Sequence, residues 1–122
     1  METMRILAHP AIGDVTVEGV LHALSDPVRV AIFAQIAGSS ATQTCSDFLV
    51  VRDQKIPKST LSQHFKVLRE AGLIRSERHG IQMHNTSRCA EIANRFPGLI
   101  PAIVRALNIQ TGGKLRSRRR GR

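Results

Sequence analysis

The chain has 122 residues, 42% of them hydrophobic and 22% charged, which is the size and balance of a single foldable unit. Its formal charge of +9 points to a polyanionic partner, while four Phe with neither Trp nor Tyr argue against the aromatic platforms of single-strand and RNA binders. No apolar run is long enough to span a bilayer, no Gly-rich phosphate loop, HExxH or nucleophile elbow marks an enzyme, and no cofactor is implied.

The charge is unevenly spread. The last nine residues, KLRSRRRGR, hold six basic groups and no acid, leaving +3 on the other 113. The opening residues lack the pattern of a secretory leader, so a cytoplasmic protein without a membrane partner is expected. Cys45 and Cys89 form no CxxC, and in such a setting two distant cysteines read first as small hydrophobes.

In chain order, residues 1–13 read as an arm interrupted by Pro10 and Gly13. Asp14 then stands where it could cap a short helix in which Val17, Val20, Leu21 and Leu24 recur at helical spacing. Asp26 and Pro27 form the strongest helix start: the carboxylate accepts from free amides, and proline lacks the one N–H that the first turn does not use. Val28, Ile32, Phe33 and Ile36 make the apolar stripe of this helix and Gly38 ends it. GSSATQ reads as a loop. Thr44 and Asp47 then predict a short third helix over TCSDFLVV, followed by a turn through RDQKIPK.

The next stretch, STLSQHFKVLREAGLIRSERHG, predicts a helix over residues 59–71 with Ser59 as cap. Leu61, Phe65 and Leu68 line one side, Thr60, Gln63, Lys66 and Glu70 the other, and Ala71-Gly72 stops it. Alternation through LIRSERHGIQMHN predicts a two-stranded hairpin turning at His79-Gly80, with Ile81 and Met83 on the return strand. The final apolar helix, PGLIPAIVRALN, starts at Pro97 and is expected to kink or restart at Pro101. Residues 109–122 are Gly-rich, then basic, the composition of a disordered tail. The order of elements gives a mainly α fold with a small β-hairpin, a winged helix-turn-helix over residues 14–108, and a last helix apolar on two sides makes it dimeric in expectation.

LHALSDPVRVAIF, STLSQHFKVLREAGLI and RSERHGIQMH together resemble the ArsR/SmtB-type winged-helix regulators, over roughly Val17 to Leu107. The most specific pieces are Asp26, Pro27 and Arg29 at one helix start, and Ser62, His64, Phe65, Leu68, Ala71, Gly72 and Leu73 in the later run. The resemblance implies a homodimer joined through the first and last helices, a recognition helix at 59–71, a wing at 74–85, and repression released by an effector. The metal-ligand patterns of the family do not carry over. Thr44-Cys45-Ser46-Asp47 holds one thiol where thiophilic-metal sensors have Cys-x-Cys, and residues 90–113 hold no His, so no metal site is expected.

Apart from the resemblance, the residues suit double-stranded DNA. The start of a helix enters the major groove, where short polar side chains meet base edges and free amides favour phosphate. Lys58, Ser59, Thr60, Ser62, Gln63, His64 and Lys66 are the candidates on the helix, with Arg75, Arg78, His79 and Gln82 on the hairpin. Ser59 serves as cap, base contact or both; His64 either contacts DNA or packs against the core; Arg75 and Arg78 are wing contacts or an exposed charged strand. Val17, Leu21, Leu99, Ile100, Ile103, Val104 and Leu107 are the candidate dimer interface. In the last helix Leu99, Ile103 and Leu107 would pack inward, and Ile100 and Val104 would offer a second apolar face. Two alternatives remain: a nonspecific nucleic-acid packaging protein, and a thiol-sensing repressor using Cys45, with or without a bond to Cys89.

Overall fold

The computed structural model describes residues 4–6, 9–38, 43–44, 50–51 and 54–112. After strand β1 (Met4–Ile6) and a 3-10 turn (Ile12–Asp14), helix α1 runs over Val17–Ala23. Thr16, not Asp14, caps it, its hydroxyl accepting from the Gly19 amide at 3.0 Å. Asp14 is spent in the 3-10 turn, which places Thr16 in extended geometry directly before the helix.

Helix α2 (Pro27–Ala37) starts as expected. Asp26 Oδ1 accepts from the amides of Val28 (2.8 Å) and Arg29 (3.3 Å), and Pro27 occupies the first turn. Its axis turns 105° from α1 across three residues. Ile32, Phe33 and Ile36 are buried, joined by Val30, while Val28 is half-buried at the helix edge.

The third helix expected over TCSDFLVV does not fit the described ends of that segment. Gln43–Thr44 is strand β2, and Val50–Val51 (β3) pairs with Gln54–Lys55 (β4). Thr44 is drawn into a ladder opposite His84, and Val50-Val51 has the β-branched side chains that suit a strand. Residues 45–49, including Cys45 and Asp47, lie outside the described residues.

Helix α3 (Lys58–Glu70) begins one residue before the expected start. Pro57, at φ −59° and ψ 143°, is the residue from which the helix departs, and its carbonyl accepts from Leu61 N at 2.9 Å. Ser59 is therefore inside the first turn and makes no capping bond. Leu61, Phe65 and Leu68 are buried as the spacing required, each apolar side chain worth about 1.5–3 kcal/mol on full burial.

The exit from α3 is tightly specified. Gly72 N donates to Arg69 O and Leu73 N to Leu68 O, both at 3.0 Å, the paired bonds of a Schellman end. Gly72 has φ +86°, and a Cβ there would lie 2.4 Å from Val15 Cγ2, so both backbone angle and packing demand glycine. The chain passes directly into strands β5 (Ile74–His79) and β6 (Gln82–Ser87).

His79 pairs with Gln82, leaving Gly80-Ile81 as a two-residue turn with Gly80 at φ +66°. Ile81 thus sits at the turn and is 94% exposed, rather than on the return strand beside Met83. The sheet is also wider than a hairpin, with order β1-β5-β6-β2. Residues 4–6 pair antiparallel with β5, Arg5 lying opposite Arg78.

Where β1 ends, the His9 ring continues its work: Ser76 N donates to His9 Nε2 at 2.9 Å. Arg88, only 4% exposed, then binds Pro10 O at 2.9 Å and Glu91 at 2.7 Å, tying the N-terminal segment to helix α4 (Cys89–Arg95). Ser76 and Asn85, buried between the strands, satisfy each other at 2.7 Å.

Helix α5 (Leu99–Gln110) is continuous. Pro101 falls in its first turn, where an amide has no partner within the helix, so neither kink nor restart follows. Ile100, expected on the outward face, is 8% exposed and belongs to the core with Val20, Val30, Leu73, Ile74 and Ile92. Leu99, Ile103, Val104 and Leu107 pack against that core while staying partly exposed. Among the described residues no single helix is long and apolar enough to cross a membrane.

Candidate nucleic-acid interface

The buried face of α3 decides which side chains remain outside. With Leu61, Phe65 and Leu68 inward, Lys58, Ser59, Thr60, Ser62, Gln63 and Lys66 are all exposed. Among the described residues none of these six side chains is held in a hydrogen bond or ion pair. They offer hydroxyls, one amide and two ammonium groups over residues 58–66, beside the free amides of the helix start.

His64 stands differently. It is half-buried, and its Nδ1 lies 3.4 Å from Arg29 Nη1. Arg29 in turn donates from Nε to Ala23 O (2.7 Å) and from Nη2 to His22 O (3.3 Å), completing carbonyls at the end of α1. Asp26 Oδ2 is 3.7 Å from the same guanidinium. Packing and polar contact are thus combined at His64, and Arg29 is the partner that helical spacing alone did not supply.

The wing divides its candidates. Arg78, His79 and Gln82 are exposed near the turn, with Ile81 between them. His79 Nε2 is 3.3 Å from Glu77 Oε1, and the His79 and His84 rings stack with centroids 4.3 Å apart. Arg75 is partnered instead: Nη2 donates to Glu91 Oε2 at 3.1 Å. Glu91 is also gripped by Arg88, and the Arg88 hydrogen bonds, ahead of those from Arg75, hold its carboxyl below the ordinary 4.5 despite opposing desolvation. Sequence reading missed Arg88 and His9 because their partners, Pro10 O and Ser76 N, lie 78 and 67 residues away.

Of the candidate apolar surface, Val17 is half-buried and Leu21 is 50% exposed on α1. Leu99, Ile103, Val104 and Leu107 follow on α5, where Ile109 adds a further exposed side chain. Cys89 is a free, half-buried thiol opening α4. Among the described residues no group of three His, Cys, Asp or Glu is arranged to hold a metal ion.

A helix with an exposed polar mouth, turning through glycine into an antiparallel hairpin and packed on a preceding pair of helices, defines a winged helix-turn-helix domain. Residues 24–77 match a family model described as a helix-turn-helix domain, a span covering α2, α3 and most of β5. Two curated relatives, the HTH-type transcriptional repressor SmtB of Mycobacterium tuberculosis strains CDC 1551 / Oshkosh and ATCC 25618 / H37Rv, are each 41% identical over 61 residues. The match covers 50% of this chain and 42% of each relative. The chain thus carries a helix-turn-helix domain, and over half of its length it is similar to these SmtB repressors, of which it spans less than half.

Proposed function

We propose that this protein binds double-stranded DNA as a homodimer and represses transcription by occupying a pseudo-palindromic operator. The observation that carries the reading is the exposed polar row Ser59, Thr60, Ser62 and Gln63 at the start of α3, unpartnered among the described residues. A helix start of this kind fits the major groove, where Gln pairs with adenine and hydroxyls accept or donate. Lys58 and Lys66 flank the row and suit phosphates, fixing register rather than reading sequence. Arg78, His79 and Gln82 at the wing turn extend the contact to neighbouring backbone or minor groove. Arg75, engaged with Glu91, supports the wing from behind.

The similarity to a relative named a transcriptional repressor favours regulation over packaging. Homodimerisation is favoured by the half-covered apolar side chains of α5 with Leu21 of α1. A cleft of about 110 Å³ beside them, lined by Leu24, Pro27, Val30 and Leu107 among others, is well under the ~300–1,000 Å³ of small-molecule sites. Its size suits an inserted side chain.

Selection of bound sites from random duplexes tests the proposal. One inverted repeat should emerge, with half-sites about 34–36 Å apart. A pool that shows no common sequence would refute it.

A further inference from the structure

The polar cluster at the junction of α1, α2 and α3 constrains how His64 meets a ligand. A guanidinium has five N–H donors, no acceptor, and does not lose its proton. The 3.4 Å contact from Arg29 Nη1 is therefore a hydrogen bond only when His64 Nδ1 carries a lone pair. The proton of the neutral ring then resides on Nε2. Arg29 is itself clamped by Ala23 O, His22 O and Asp26, with a side chain 13% exposed, so the donor is fixed in place. Among the described residues nothing engages His64 Nε2.

We propose that Arg29 is a positioning residue for DNA reading, holding His64 as its Nε2–H tautomer so that the ring offers a donor and not an acceptor. Its last step rests on the DNA-binding reading above; the tautomer itself does not. A donor at Nε2 matches purine N7, guanine O6, thymine O4 or a phosphate oxygen, and is mismatched to the amino groups of cytosine and adenine. The half-buried placement of His64 thus becomes selective: one nitrogen is used inside the protein and the other is left for the ligand.

The test uses full-length wild type, Arg29→Met and Arg29→Lys, first without DNA. Two-bond proton–nitrogen spectra of the imidazoles, taken where the ring is neutral, should show a pyridine-type Nδ1 and a protonated Nε2 for His64 in wild type and Arg29→Lys. Arg29→Met should show a rise in the Nδ1-protonated form. Protonated Nδ1 in wild type, or an unchanged ratio in Arg29→Met, overturns the tautomer assignment.

Affinity for the selected duplex is the second readout. Arg29→Met should weaken it about three- to tenfold, the range of one hydrogen bond, and lose that effect in a His64→Ala background. A Met effect undiminished in His64→Ala makes Arg29 merely structural. Should Arg29→Met fail to fold, His64→Gln against His64→Ala carries the binding test. Gln retains a donor near the Nε2 position and should keep most of the affinity, whereas equal losses refute the donor role. If wild type prefers no duplex, the DNA reading fails and with it the reading role, while the spectra still decide the tautomer.

Discussion

Replacing Gly72 by alanine probes the joint between helix α3 and the β5–β6 hairpin. Two costs can be separated. Left-handed backbone at φ +86° costs an L-residue about 1–2 kcal/mol, and the new Cβ, 2.4 Å from Val15 Cγ2, adds an overpacking cost of about 1–3 kcal/mol because Val15 is itself buried. Together these give about 2–5 kcal/mol, a large share of the ~5–15 kcal/mol that holds a domain folded. Gly80 supplies the internal control. Its φ is +66°, but nothing lies within 4 Å of the position a Cβ would take there, so Gly80→Ala should cost only the backbone part. Urea denaturation of both variants, with Val15→Ala and the Val15→Ala/Gly72→Ala double variant, measures the difference. The double variant should recover most of the overpacking cost. Equal losses at the two glycines, or no coupling with Val15, would refute the packing argument.

Three further outcomes are expected. Asp26→Ala should lower stability by about 1 kcal/mol through loss of the α2 cap, whereas Asp26→Asn should keep most of it, as urea midpoints will report. Glu91 has a lowered pKa, caused first by its hydrogen bonds to Arg88 and then by Arg75; its contribution is present above the ordinary 4.5 and lost as pH falls through the lowered folded value. Acid titration of stability should therefore show a steeper decline below about pH 4.5 in wild type than in Glu91→Gln. Deleting residues 114–122 removes six basic groups and should flatten the salt dependence of DNA affinity, by about 0.9 in log–log slope for each phosphate no longer neutralised, while leaving operator preference intact. Loss of preference with the tail would contradict that division of labour.

Local signals carried far in this chain. Asp26-Pro27, the Leu61/Phe65/Leu68 stripe and Gly72 each encode their structure within one or two helical turns, and each stands where the pattern put it. The exposed row of α3 follows directly, since burying three residues of a helix dictates which others face out. Errors cluster where distant partners intervene. Residues 4–6 gain a strand only because β5 offers an open edge, and Thr44 is paired by His84 rather than capping a helix.

Pro57 moved the start of α3 by one residue and so removed the capping role from Ser59, an effect of a single fixed φ. Ile100 shows the limit of a helical wheel: α5 is apolar on more than one side, and its own periodicity does not say which side meets the core. Arg75 likewise looked like any wing arginine until Glu91, 16 residues on, was brought beside it.

The central claim is that the mouth of α3 distinguishes one duplex sequence from another. Competition between the selected inverted repeat and a scrambled duplex of equal length and composition, at fixed physiological salt, measures this directly. The account predicts two chains per duplex and a preference of about 10³-fold or more for the repeat, falling sharply in Gln63→Ala. Equal affinity for both duplexes, or one chain bound per repeat, would contradict it.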